Sequence, residues 1–452
     1  MGRLGRFMII LTVLGLVLTG CGQKDGGQAQ PPLQGDINEL ASEFVALLVK
    51  EDFTAAAQYF DATMLQALPP EKLGQTWTQV KEQAGPYKHE IGRQQETTQG
   101  YEVININSQF EKAALNIRVV FNADKRIAGL FFAPGQSANG GNYQPPGYAR
   151  MDQVVEQEVV VGAGEWALPG TLTLPDGPGP WPVVVLVHGS GPNDRDETIG
   201  PNKPFKDLAL GLASRGVGVL RYDKRTFTHG MKIAASVPTL TIQEETVEDA
   251  VAAVKLLKNT DKVDPGRIYV LGHSLGGMLA PRIGAQSGEM AGLILMAGAA
   301  RPLEDLVVEQ TIYIAEADGA ITDTKKTGIE AAEQFARMVK DPALDANTPA
   351  SQLMGAPAAY WLDLRTYQPL AAAQSINVPM LILQGQRDYQ VTMADFQLWQ
   401  SALQGKKGVV FKSFPALNHL MMAGSGPSTP EEYMRPDHVD QAVVEAIVDF
   451  II

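Results

Sequence analysis

The chain has 452 residues, of which 45% are hydrophobic, 19% charged and 7% aromatic, an ordinary globular composition that excludes wholesale disorder or a fibre. At roughly 100 to 200 residues per domain, this length predicts two or three domains with ample material for a core. Lysine and arginine number 37 against 50 aspartate and glutamate, a net charge of −13. So acidic a surface repels phosphate backbones, and nucleic acid is not an expected partner. A single cysteine leaves no intramolecular disulfide and no cysteine-based zinc or iron–sulfur site.

Residues 1–20 read as an export signal. Arg3 and Arg6 give a basic start, and Phe7 to Leu18 form an apolar run shorter than the about 20 residues a bilayer span needs. The run ends in Leu18-Thr19-Gly20-Cys21, which resembles the lipobox of bacterial lipoproteins. The resemblance implies that Cys21 carries lipid and opens the mature chain. The sole cysteine stands at the one position where that chemistry needs it; a plain secretory signal is the competing reading. Residues 21–35 are polar and rich in Gly and Pro, as a flexible tether is. The expected setting is an exported protein, lipid-anchored to a membrane of the cell envelope and facing away from the cytoplasm.

Asp36 is an N-cap candidate, followed by Ile37, Leu40, Ala41, Phe44, Leu47 and Leu48 at helical spacing. Asp52 opens a second short helix with Phe53, Ala56 and Phe60, and Pro69-Pro70-Glu71 opens a third with Leu73, Trp77 and Val80. From Tyr101 the period changes to strands: Val103 to Ile106, Ala114 to Phe121, a turn at Asn122 to Lys125, then Ile127 to Phe132. Helices followed by an antiparallel meander predict a small α+β domain over 36–133, with Trp77 in its core. The glycines and prolines of 134–150 predict a linker.

Residues 151–452 alternate strands and helices. Val154 to Val161 and Thr171 to Leu174 read as antiparallel leading strands, and Val183 to Val187 and Val217 to Arg221 as buried parallel ones. Ile268 to Leu271, Leu293 to Met296, Met380 to Leu383 and Val409 to Phe411 continue the series, with helices over Phe205 to Ser214 and Gln243 to Leu257. The pattern predicts a doubly wound, mostly parallel sheet. Residues 301–370 are too many for a crossover of roughly a dozen and read as an insertion; in the fold that the motifs below resemble, an insertion here implies a helical cap that shapes the pocket.

The chemistry lies in Ile268-Tyr269-Val270-Leu271-Gly272-His273-Ser274-Leu275-Gly276-Gly277. It is a buried strand running into Gly-x-Ser-x-Gly and then a helix, the context a nucleophile elbow requires. A serine hydroxyl needs a base to take its proton and an acid to orient that base. In hydrolases built on this elbow the chain order is Ser, acid, His. The strand Pro379 to Leu383 leads into Gln384-Gly385-Gln386-Arg387-Asp388, which puts Asp388 in the acid's place; Asp363 and Asp395 are weaker substitutes. His419, on the loop after Val409 to Phe414, is the base. His89 lies in the first domain, His188 ends a strand, His229 is upstream of the serine, His273 adjoins it and is read as pointing elsewhere, and His438 sits by the final helix. Val183 to Val187 followed by His188-Gly189-Ser190-Gly191-Pro192 supplies an oxyanion loop, so the expected oxyanion donors are the backbone amides of Leu275 and Ser190, with Gly191 the alternative to Ser190.

With those motifs in place, residues 151–452 resemble the α/β-hydrolase superfamily, near secreted bacterial esterases and peptidase-like hydrolases. His188 to Pro192 with Asp194-Arg195-Asp196, and Tyr222-Asp223-Lys224-Arg225, resemble a subgroup of carboxylesterases that often carries a small N-terminal domain of unknown function. Asp223 and Arg225 read as ion-pair residues rather than substrate contacts. The resemblance implies a serine esterase acting on a small-molecule ester through an acyl-enzyme. A serine peptidase or amidase of the same fold, and a non-catalytic envelope binding lipoprotein, are the alternatives. No metal-binding, P-loop or dinucleotide signature occurs and neither does Ser-x-x-Lys, so no cofactor and no metal are expected.

Overall fold

A computed structural model describes residues 31–98, 101–135, 143–230, 232–233, 239–288, 290–317, 319 and 321–452. Residues 1–20, expected to be an export segment, and Cys21 lie outside the described residues. Residues before Tyr143 build one compact unit, and residues from Tyr143 onward build most of a second.

Aspartate caps start the helices of the first unit. Asp36, Asp52 and Asp61 accept the amides of Asn38, Ala55 and Met64 at 2.8–3.0 Å, satisfying donors that have no partner inside a helix. They open α1 (Ile37–Val49), α2 (Phe53–Ala56) and α3 (Ala62–Ala67), and Pro70 stands at the start of α4 (Pro70–Ala84). An antiparallel sheet follows in the order β1 (Tyr87–Thr98), β2 (Tyr101–Phe110), β3 (Ala114–Phe121), β4 (Ile127–Pro134). Sequence periodicity anticipates neither α3 nor β1. Of α3 only Met64 is buried, and β1 is an edge strand paired to β2 alone, with Lys88, His89, Gln94 and Gln95 exposed. An edge strand with so many polar side chains shows no apolar alternation to detect. Trp77 is 1% exposed, its ring 5.8 Å from Phe110 and 6.0 Å from Phe132, and it packs in one core with Phe44, Leu48, Phe60, Ile106 and Phe121.

The second unit is an eight-stranded sheet in the order β12-β11-β10-β9-β7-β8-β6-β5. Its strands are β5 (Val154–Val161), β6 (Leu168–Pro175), β7 (Trp181–Val187), β8 (Gly218–Tyr222), β9 (Val263–His273), β10 (Gly292–Met296), β11 (Met380–Gly385) and β12 (Val409–Phe414). The six strands from β7 onward are parallel, and β5 and β6 join antiparallel at one edge. Val184, Leu186, Leu271, Ile294 and Leu381 meet Phe205, Leu208 and Leu212 of α5 (Pro204–Ala213) and residues of the last helix, Gln441–Ile451. The alternate residues Val183, Val185, Val270, Leu293 and Leu295 are equally buried and belong to the opposite face. The parallel strands therefore read as unbroken apolar runs. Part of the stretch expected as linker is fastened here: the Tyr143 hydroxyl donates to Asp207 (2.6 Å) and that of Tyr148 to the Val439 carbonyl (2.7 Å).

Among the described residues no helix is long and apolar enough to cross a membrane. The expected outcome for Trp77→Ala is a loss of about 3–5 kcal/mol, the range for deleting a buried aromatic ring. It is read in chemical denaturation as an earlier unfolding transition for the first unit.

Candidate active site

In a doubly wound sheet, ligands bind outside the carboxyl ends of the strands where the strand order reverses. Here β8 lies on one side of β7 and β9 on the other, so the reversal falls between β7 and β9. The loop after β7 begins at His188, and the turn after β9 begins at Ser274.

Ser274 has φ 55° and ψ −115°, a left-handed backbone that costs a non-glycine residue on the order of 1–3 kcal/mol. Neighbouring backbone holds it there. Its amide donates to the Met296 carbonyl at the end of β10 (3.0 Å), and its carbonyl accepts the Met278 amide (3.0 Å). The flanking glycines leave the space: a Cβ on Gly272 would lie 2.0 Å from the Gly276 carbonyl oxygen, and one on Gly276 would lie 2.3 Å from that of Val187. Leu275 is the first residue of the helix Leu275–Ser287, where backbone amides have no partner within the helix.

Asp388 follows β11 and is 5% exposed. Its Oδ1 accepts the amides of Gln390 (2.8 Å) and Val391 (3.0 Å); its Oδ2 accepts the Gln384 side-chain amide (3.2 Å) and faces His419 Nδ1 at 2.7 Å. With the carboxylate ionised, Nδ1 carries the proton and Nε2 is left as an acceptor. The substitutes have other partners. Asp363 is held by Arg282 (2.8 Å), while Asp395 binds Arg301 (2.6 Å) and the amides of Ala300 and Arg301. His438 also faces a carboxylate, Asp207 at 3.1 Å, but that aspartate stands on α5 and not at a strand end. His229 faces the Ala167 carbonyl at 3.0 Å. His188 is buried, which pushes its imidazole down to about 4 and keeps it neutral; its Nε2–H donates to the Asp194 carbonyl at 3.0 Å.

The loop after β7 is gripped by opposite charges. The Gly189 amide donates to Glu197 Oε1 (2.7 Å), and its carbonyl accepts from Lys224 Nζ (2.9 Å), an ammonium 2% exposed. Asn193 Nδ2 lies 3.2–3.3 Å from the carbonyls of Gly189, Ser190 and Gly191. In a planar trans peptide the C=O and N–H point opposite ways, so holding the Gly189 carbonyl also sets the direction of the Ser190 amide. A Cβ built on Gly189 would come 3.2 Å from Ser274 Cβ. The expected oxyanion loop thus runs against the expected nucleophile.

His273 lies in the middle of this assembly. Its Nδ1 is 2.8 Å from Glu197 Oε2, its Nε2 is 3.0 Å from the His419 carbonyl, and its ring centre is 4.7 Å from that of His419. Burial opposes charge on Glu197, but His273 and the Gly189 amide outweigh it and hold the carboxyl below the usual range. The structure therefore brings Asp388 into contact with His419, His419 against His273, and Gly189 against Ser274. Sequence reading gives no role to Glu197, Lys224 and Gln384, and it reads His273 as pointing elsewhere, whereas the structure sets that ring against His419. A signal exists for Gln384, the one polar side chain in the apolar run Met380 to Gln384, and for Lys224 and Glu197, which sit in or beside the two loop motifs. Asp223 and Arg225 form ion pairs, with Arg195 (3.1 Å) and Asp249 (2.6 Å) respectively. Among the described residues no group of three or more His, Cys, Asp or Glu is placed to hold a metal.

Comparison with known proteins adds three findings. Residues 184–435 match the alpha/beta hydrolase family, and residues 41–130 match a family described as a protein of unknown function, DUF3887. The chain is 38% identical over 418 residues to Esterase EstD of Thermotoga maritima, covering 92% of this chain and 96% of that protein. Among solved structures, a hyperthermophilic esterase from the archaeon Pyrobaculum calidifontis aligns at 19% identity and TM-score 0.41, over 66% of this chain and 85% of that one. Est1E from Butyrivibrio proteoclasticus aligns at 18% identity and TM-score 0.41, over 65% and 98%.

Gly276→Ala tests the packing on which this geometry depends. The added methyl meets backbone oxygen, which has no rotamer through which to yield, so the expected cost is at the upper end of the about 1–3 kcal/mol of an overpacked core. A clear fall in Tm accompanied by loss of activity is the expected result; unchanged stability would contradict the close contact with Val187.

Proposed function

We propose that this chain, which belongs to the alpha/beta hydrolase family, hydrolyses carboxylic esters of small acyl substrates through an acyl-enzyme on Ser274. The observation that carries the mechanism is the 2.7 Å contact between His419 Nδ1 and a fully bonded Asp388, on loops that follow the Ser274 turn in the order acid, then base. The extensive identity to an esterase over nearly its whole length supports ester as the substrate class.

Ser274 Oγ attacks the ester carbonyl carbon while His419 Nε2 takes its proton, and Asp388 stabilises the imidazolium that forms. The carbonyl oxygen becomes an oxyanion facing the amides of Leu275 and Ser190. Collapse expels the alcohol, which leaves with the proton from His419. Water then attacks the acyl-Ser274 carbonyl, giving its proton to the same imidazole, and the acid departs as Ser274 recovers its hydrogen. The helices between β10 and β11 are proposed to serve as a cap that limits the acyl or alcohol group.

Ser274→Ala and His419→Ala are each expected to abolish ester hydrolysis with the fold intact, leaving a residual of roughly 10³–10⁴ over the uncatalysed rate. Wild-type rates in either variant would reject the assignment. A matched ester and amide of one acyl group separate esterase from amidase, and fluorophosphonate labelling at Ser274 separates both from a binding-only protein.

The sequence before the first unit supports a location. We propose that Cys21 is lipid-modified and tethers the enzyme to an envelope membrane through residues 21–35. Stable attachment takes more than one acyl chain, at about 0.8 kcal/mol per buried CH₂. Cys21→Ser is expected to leave catalysis by the purified protein unchanged and to release it from the membrane fraction; a variant that is cleaved normally and still sediments with membranes would refute the anchor.

A further inference from the structure

Both ring nitrogens of His273 face oxygen acceptors. Nε2 is 3.0 Å from the His419 backbone carbonyl, which can only accept, and Nδ1 is 2.8 Å from Glu197 Oε2. The other oxygen of Glu197 is occupied by the Gly189 amide at 2.7 Å. Each of the two side chains is 3% exposed. A neutral imidazole has one proton for these two acceptors, whereas an imidazolium satisfies both.

We infer that His273 is a positioning residue: as an imidazolium paired with Glu197 it holds the backbone of His419 against the Ser274 turn, and it releases that hold when it loses its proton at alkaline pH. The inference rests on the reading of His419 as the base. On deprotonation the remaining proton stays on Nδ1 toward the Glu197 carboxylate, the stronger acceptor. The Nε2 lone pair then opposes the lone pairs of the His419 carbonyl across 3.0 Å, and the base loop loses its anchor. Since Glu197 also binds the Gly189 amide, one buried pair connects the loops after β7, β9 and β12.

The surroundings set the direction. Burial works against the cation, but the Glu197 charge and hydrogen bond, the His419 carbonyl and Asp388 outweigh it and raise the imidazole above its ordinary range. The facing groups are Glu197 and neutral His188 from the loop after β7, Asp388 from the loop after β11, His419 from the loop after β12, and the uncharged Phe205 ring from α5 at 6.4 Å. Lys224 stands beyond them, on the Gly189 carbonyl. With the value raised in the folded state, the contribution of the pair is complete at and below the ordinary histidine range and is lost as pH rises through the raised value.

The test uses the full-length protein. Nitrogen-15 NMR of histidine-labelled enzyme at about pH 7, assigned by the signals missing in His273→Gln, is expected to show both ring nitrogens of His273 protonated. The kcat–pH profile, corrected for spontaneous hydrolysis, is expected to fall on the alkaline side. Glu197→Gln removes the anion and is expected to move that fall to lower pH by about 1–3 units, the value of an opposite charge at this range, with the acid limb in place. His273→Gln keeps an N–H for the His419 carbonyl but cannot titrate, so its alkaline fall is expected to vanish. A merely structural His273 would leave the limb unmoved in both variants, and that result overturns the inference. Should Glu197→Gln fail to fold, the NMR signals and His273→Gln decide. A neutral His273 alongside inactive Ser274→Ala and His419→Ala overturns this inference alone, whereas an active His419→Ala overturns the base assignment and this inference with it.

Discussion

Buried charge, cancelled pair by pair, fixes the loops at the carboxyl end of the second sheet. Glu197 meets His273, Lys224 meets Glu245 at 3.3 Å and Arg225 meets Asp249; in partly buried pairs Arg195 meets Asp223, and the buried Arg221 reaches the partly buried Asp196 and the exposed Glu156. Such pairs add little net stability, because removing each ion from water offsets most of the attraction. Breaking one is costly, since an unpaired charge is then left buried. In the observed arrangement these buried charges are matched, and leaving one of them unpaired carries a penalty. That is a source of positional accuracy, which a site built on loops otherwise lacks.

Accuracy of this kind is needed because the Ser274 backbone is strained. A left-handed serine relaxes unless its surroundings over-determine it, and here the surroundings are mostly backbone: the Val187 carbonyl against Gly276, the Met296 carbonyl on the Ser274 amide, and Gly189 against the serine itself. The same close packing that leaves no Cβ at Gly276 brings the ends of β7 and β9 together, so that Gly189 and Ser274 share one corner. Lys224 then acts on the loop after β7 from behind. A cation on the Gly189 carbonyl polarises that peptide, and hydrogen-bonded groups polarised in series become better donors. The Ser190 amide, in the same peptide, is the group such polarisation reaches.

The division of labour explains what could be read from sequence. The parallel strands were legible because burial on both faces produces runs such as Val183 to Val187 and Leu293 to Met296, and the elbow because glycine is required on each side of the serine. The contact between Asp388 and His419 joins the loops after β11 and β12, whose order is topology written along the chain. What was not legible depends on non-local pairing. Glu197 lies 76 residues from His273, and no local spacing announces that they meet. His273 reads as a bystander because its neighbour carries the hydroxyl. The first unit shows the same limit: β1 owes its place to pairing with β2, and its own side chains are too polar to reveal it. Polar residues inside apolar patterns, as at Gln384, are the readable trace of such partnerships.

The helices between β10 and β11 belong to this frame as well. On Leu303–Glu316, the Gln310 side chain donates to the Gln390 carbonyl (2.9 Å) and the Tyr313 hydroxyl to the Ser428 carbonyl (2.9 Å), while the Tyr313 ring stacks on Tyr389 at 5.0 Å and Tyr389 on Tyr433 at 6.1 Å. Tyr389 and Gln390 directly follow Asp388, and the Gln390 amide is one of the donors to its carboxylate. A helix fastened to those two residues constrains the backbone that aims Asp388 at His419. The helix Leu303–Glu316 therefore stiffens the loop that carries Asp388. That helix is in turn tied to its neighbour, Asp323–Lys340, through Lys325 Nζ on the Ala315 carbonyl (2.8 Å) and Lys340 on Asp305, so the brace on the Asp388 loop extends beyond one helix.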